Sequence, residues 1–206
     1  MSVVSVFNQK GGSGKTMLSV HLAVAAYLKG LKVLILDLDE QGSALNWYRV
    51  RMAAGDVPGP VVAKVHIVSL DRAIAAAIGE GFDLILIDCP PAVSPATAKM
   101  IGAAGLVLIP ITPEPFDLAA LPATLVLVGA KRYAFVLSNC PKKAPEIEET
   151  REILLKMNKP VYGPVNNWVS MWRSVIGGKS ICEFKPRSKA AKEIKAVCND
   201  ILKEMQ

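Results

Sequence analysis

The chain has 206 residues, a formal net charge of +6, and 51% hydrophobic against 20% charged residues. That length suits one domain with a full core, and that composition excludes a disordered chain. No apolar run reaches the ~18 residues that cross a bilayer, and the start MSVVSVFNQK puts no charged leader before its apolar residues, so a cytoplasmic protein is expected.

In chain order, runs rich in Val, Ile and Leu predict strands at 3–8, 32–38, 64–69, 83–87, 105–111 and 133–139. Helical patterns fall between them at 15–29, 43–53, 71–79, 94–103, 117–130 and 145–157. Most strand runs are continuously apolar rather than alternating, as in strands buried on both faces of a parallel sheet. Repeated β-α order predicts an α/β fold with right-handed crossovers. The apolar stretch 118–130 contains Pro122 and reads as a core helix. Pro-rich stretches at 58–60, 90–95 and 110–115 punctuate strands without dividing the chain. A last helix is expected at 188–205, where Ala191, Ile194, Val197, Ile201 and Met205 recur at helical spacing. This stripe has no Phe or Trp, so it should dock on the body rather than lie on a membrane. The whole chain, 1–206, thus reads as one domain, with a basic helical segment at about 168–206 packed on it.

Charge and cysteines narrow the function. From Met171 onward there are eight basic and four acidic residues, most of the net excess, which makes a polyanion partner plausible. The four cysteines, Cys89, Cys140, Cys182 and Cys198, form no C-x-x-C pair. They read as free thiols rather than as a zinc or redox motif.

Gly11-Gly12-Ser13-Gly14-Lys15-Thr16 follows a predicted strand and opens a predicted helix. Glycines let backbone N–H groups approach phosphate oxygens, and a helix N-terminus adds partial positive charge there. Lys15 should reach the β- and γ-phosphates, and the Thr16 hydroxyl should ligate Mg²⁺. Two further acidic stretches end predicted strands: Asp37-Leu38-Asp39-Glu40-Gln41-Gly42, and 82–91, which carries Asp88. The carboxyl ends of strands in an open parallel sheet face the ligand crevice.

Lys10-Gly11-Gly12-Ser13-Gly14-Lys15-Thr16 resembles the deviant Walker A motif of the ParA/MinD family of ATPases, with Gln9 where the usual first glycine stands. The resemblance implies a single-domain, three-layer P-loop fold, with a mostly parallel central sheet and helices on both faces. It implies ATP and Mg²⁺ as cofactors, with Lys10, Gly11, Gly12, Ser13, Gly14, Lys15, Thr16 and Met17 around the nucleotide. Lys10 would reach across a homodimer to the partner's ATP, as an arginine finger does. Residues 37–42 are similar to the family's D-x-D-P-Q-G switch, with Glu40 in place of proline. Asp39 would then position the attacking water, and Asp37 would support the metal or the switch loop. Asp88 matches the Walker B acid that holds Mg²⁺ through water. The segment 110–118 resembles P-x-x-P-x-x-x-D-L, which places Pro113 at the pocket, and Asn139 matches the Asn facing adenine.

The tail resembles the family's C-terminal segment more loosely, where basic residues bind DNA without sequence preference; Arg173, Lys179, Lys185, Arg187 and Lys189 are the candidates. The expected function is an ATP-dependent switch. It dimerises on ATP, binds double-stranded DNA non-specifically and hydrolyses ATP when a ParB-like or other adaptor stimulates it, to partition or position a cargo at the nucleoid. The first strand begins at the start of the chain, so no N-terminal helix-turn-helix is expected. Two alternatives are weaker. A MinD-like membrane cycle wants a bulkier amphipathic tip than NDILKEMQ, and an iron-protein-like reductase or metal-cluster carrier wants cysteines placed to share a cluster.

Overall fold

The computed structural model describes residues 1–55, 58–91 and 95–205. In chain order the elements are β1 (Ser2–Val6), α1 (Lys15–Tyr27), β2 (Val33–Asp37), α2 (Ser43–Ala53), β3 (Val61–Lys64), α3 (Leu70–Gly79) and β4 (Leu84–Asp88). There follow α4 (Pro95–Gly102), β5 (Leu106–Ile111), α5 (Pro115–Val128), β6 (Tyr133–Leu137), α6 (Glu146–Leu155), β7 (Val161–Tyr162), α7 (Val169–Ile176), α8 (Ile181–Phe184) and α9 (Lys189–Glu204). The strands form one seven-stranded sheet in the order β3-β2-β4-β1-β5-β6-β7, every pair parallel.

The continuous apolar strand runs are explained by two cores. Along β4, Leu84 and Leu86 point into one and Ile85 and Ile87 into the other. The first core takes α1, α2 and the tail helices α7 to α9; the second takes α3 to α6. Each fully buried Leu or Ile contributes about 1.5–3 kcal/mol, so neither face could carry polar alternation without loss. The tail docks as its pattern predicts, with Ala191, Ile194, Val197 and Ile201 buried against the α1 side. Ser188 caps α9, accepting from the Ala191 N–H at 3.2 Å.

One expected strand shifts and one short strand is added. The strand expected at 64–69 lies at Val61–Lys64, followed by a 3-10 turn at Ile67–Ser69. This edge strand pairs only with β2, which ends at Asp37 opposite Lys64, so beyond Val65 there is no ladder to join. The two-residue β7 joins β6 at the far edge and was too short to show a pattern. As expected of the stretch 118–130, α5 runs through Pro122, which sits on its exposed face. The expected helix start at Ser94 lies outside the described residues, as do 92–94 of the stretch 90–95.

Candidate functional site

Strand order reverses around β1, whose neighbours are β4 and β5, and crevices open at such a point. Val6, Asp88 and Asp37 stand in register at the carboxyl ends of β1, β4 and β2. The loop from β1 reaches α1 through Gly12 (φ 78°) and Gly14 (φ 85°), a left-handed backbone that glycine adopts without strain. Among the described residues no side chain caps α1, so its first N–H groups are left for an anion. The loop is tied down from both sides. Buried Asn8 accepts the Lys10 N–H at 3.0 Å and donates to the Pro110 carbonyl at 2.7 Å, and Ser138 Oγ donates to the Ser13 carbonyl at 2.9 Å.

Lys15 is buried and donates to the Lys10 carbonyl at 3.0 Å; burial lowers its pKa. Asp88 is fully buried. Its Oδ1 accepts from Ser19 at 3.0 Å, while Oδ2 has no hydrogen-bond partner among the described residues. Burial pushes its pKa up to about 7; the Thr16 and Ser19 hydroxyls and Lys15 pull it down, and Asp37 adds to the rise. A buried carboxylate oxygen without a partner, beside a threonine hydroxyl, suits a hard divalent cation taking oxygen ligands. Asp88 and Thr16 therefore fit Mg²⁺. Asp37 faces the same way but also braces the switch turn, its oxygens accepting the Asp39 N–H at 3.1 Å and the Leu45 N–H at 3.0 Å.

The switch turn closes from Gly42 N–H to the Asp39 carbonyl at 2.8 Å, and Asp39 Oδ1 accepts the Gln41 N–H at 3.0 Å. Glu40 occupies the second turn position, where proline would pre-set φ. Here the stiffening comes from Lys64 on β3, which sequence reading missed. Its ammonium donates to the Asp39 carbonyl and lies 3.9 Å from Asp37 Oδ1.

Lys10 rests on its own subunit. Its ammonium lies 2.7 Å from Asp117 Oδ1 and 3.0 Å from Glu114 Oε2, and hydrogen bonding first to Asp117 and then to Glu114 raises its pKa. Asp117 is itself held, accepting the Thr112 N–H at 2.9 Å and its hydroxyl at 2.5 Å through Oδ2.

Beside the phosphate loop lies a cavity of about 220 Å³. Gly12, Gly14 and Met17 form one wall and Asn139 another; residues 165–168 with Met171 and Trp172 form the rest. Asn139 is in the left-handed region (φ 52°) at the end of β6. The seam between these segments is backbone pairing, Cys140 N–H to Val165 carbonyl at 3.1 Å and Asn167 N–H to Cys140 carbonyl at 2.8 Å. Pro113 does not line this cavity. It belongs to the turn before α5 that holds Lys10. The 165–172 wall escaped sequence reading; only the Gly163-Pro164 pair hinted at a turn there.

Arg173, Lys179, Lys185, Arg187 and Lys189 are all exposed, and none is ion-paired among the described residues. All four cysteines are buried, and burial pushes the Cys140 and Cys198 thiols up to about 12.

The chain is 31% identical over 209 residues to the Maintenance of carboxysome distribution protein A of Gloeobacter kilaueensis, covering 98% of this chain and 93% of that protein. It is 34% identical over 155 residues to the chromosome-partitioning ATPase Soj of Thermus thermophilus, covering 62% of each. Its fold matches the septum site-determining protein MinD complexed with Mg-ADP from Pyrococcus horikoshii with a TM-score of 0.77 at 20% identity, over 99% of this chain and 97% of that one. The family described as the CobQ/CobB/MinD/ParA nucleotide binding domain matches residues 4–206. With a single turn poised for phosphates, a buried acid suited to a cation and this match along nearly its whole length, the chain belongs to the CobQ/CobB/MinD/ParA nucleotide-binding family.

Proposed function

We propose that this protein is a ParA-type switch. ATP closes a homodimer, the dimer holds DNA without sequence preference, and a ParB-like or other adaptor triggers hydrolysis, so that a cargo is partitioned or positioned along the nucleoid. Its enzymatic activity is Mg²⁺-dependent ATP hydrolysis. The observation that carries the reading is the partnerless Asp88 oxygen beside Thr16, next to an uncapped α1 and the buried Lys15.

Lys15 holds the phosphates of its own subunit. Thr16 and Asp88, with Asp37 behind, would hold Mg²⁺, which when bound would offset charge building on the phosphate oxygens. Asp39, fixed by its turn, orients the attacking water. Lys10 leaves Asp117 and Glu114 for the partner's ATP, where a second cation stabilises the transition state. Similarity to a carboxysome-distribution protein and to a chromosome-partitioning ATPase supports a positioning role. The five exposed basic residues of the tail support the DNA contact. The apolar stripe of α9, already buried on the body, does not favour a membrane tip.

The test is retention of non-specific double-stranded DNA by purified protein. Mg-ATP protein should be retained and lose binding steeply as salt rises, whereas ADP protein should pass through. Equal retention with both nucleotides, or none with either, refutes the switch.

A further inference from the structure

The cavity beside the phosphate loop, read as the base site because Asn139 lines it, is held in shape by one carboxylate from the far end of the chain. Glu193, on α9, accepts three N–H groups from the 166–168 wall. These are the Asn166 backbone at 3.0 Å, the Asn166 amide at 2.8 Å and the Trp168 indole at 2.8 Å. The backbone of this wall is pinned to β6. Its side-chain directions depend on Glu193, helped by the Lys142 ammonium 4.1 Å above the Trp168 ring. Glu193 can act as a fixed post because its neighbours on α9, Ala190, Ala191, Ile194 and Val197, are buried in the core. Bonds to an ionised acceptor are the strong, geometry-setting kind. None of the three bonds touches the phosphate loop, Asp88 or the switch turn.

We propose that Glu193 is the positioning residue of the base pocket, so that the C-terminal helix determines how tightly a nucleoside adds to the affinity of its phosphates. This rests on the reading of the cavity at Asn139 and 165–172 as the base site. Loss of Glu193 frees the Asn166 and Trp168 side chains to turn into or away from the cavity. A nucleotide then keeps its phosphate contacts and loses its base contacts.

Calorimetric titration of the full chain with Mg-ADP and, separately, with Mg-tripolyphosphate, which has phosphates and no base, separates the two. For Glu193→Ala, Mg-ADP binding should weaken roughly 10-fold, the effect of leaving such donors unpaired, while Mg-tripolyphosphate binding stays at the wild-type value. Glu193→Gln keeps size and one acceptor; it should show the same loss in smaller measure, and it is the variant to read if Glu193→Ala does not fold. Equal weakening toward both ligands, or a lowered melting temperature with the ADP-to-tripolyphosphate ratio unchanged, makes Glu193 merely structural and overturns the proposal. Asn139→Ala separates the two ideas: a changed ratio there with none at Glu193 leaves the pocket and removes the post. A wild-type chain that binds ADP no better than tripolyphosphate removes the pocket itself.

Discussion

The end of the crevice proposed for phosphates comes from one turn of chain, residues 11–17, with carboxylates from two adjacent strand ends, whereas the end proposed for the base gathers segments near 12–17, 138–140 and 165–172 and leans on Glu193. In the first, neighbours in sequence are neighbours in space, and backbone N–H groups at the start of α1 are left open to a ligand. In the second, no two walls are adjacent in the chain, and side-chain direction is fixed from another helix. The phosphate end should therefore tolerate disturbance of the tail, and the base end should not.

The largest effect that could break this contrast is at Lys15. Lys15→Ala should lower ATP hydrolysis at least ~100-fold, as read by phosphate release. Turnover within a few-fold of wild type would mean that the phosphate end is not where the loop places it.

Arg51→Ala comes next and addresses the frame behind both ends. The Arg51 side chain, 1% exposed, pairs with Glu183 through two contacts at 2.7 and 2.9 Å and donates to the Gly59 and Gly178 carbonyls. Burial alone would raise the Glu183 pKa, but the Arg51 contact and the Ser180 N–H outweigh it and hold it low. Removing Arg51 leaves that acid without its partner and should cost about 3–5 kcal/mol in urea unfolding. An unchanged midpoint would show that α2 and α8 are not locked together.

The smallest effect concerns the seam between α1 and α8. His21 lies on α1, which starts at the phosphate loop, and its Nδ1 meets Ser180 Oγ at 3.0 Å and the Ile181 N–H at 3.3 Å at the start of α8. Burial lowers its pKa to about 3, weakly opposed by Glu183. The unfolded chain therefore binds an extra proton between pH 6.5 and about 3; stability is full above 6.5 and falls as pH drops through that window. In His21→Gln, the fall in unfolding free energy between pH 7 and pH 5 should shrink by roughly 1–2 kcal/mol. An identical pH dependence in both proteins would assign the acid sensitivity elsewhere.

The same contrast explains what the sequence made legible. The turn at 11–16 could be read because its chemistry is consecutive and its glycines mark the backbone it needs. The sheet could be read because strands buried on both faces are apolar without a break. The edge strand at Val61–Lys64 was set too late because its end depends on where β2 stops, which 64–69 does not encode. Lys64 and Glu193 were missed because each acts on residues some 25 positions away, on Asp39 and on Asn166 to Trp168. The motif at 110–118 was visible, but its part in seating Lys10 on Glu114 and Asp117 was not.

The seat of Lys10 has a consequence of its own. In the proposed switch, an ammonium that leaves Asp117 and Glu114 for the partner's ATP gives up two carboxylates for phosphate oxygens, so pairing of two subunits would be in effect an ion exchange. A triphosphate would bring more charge to that exchange than a diphosphate, and two carboxylates far along the chain would thereby set the threshold at which the subunits tell ATP from ADP.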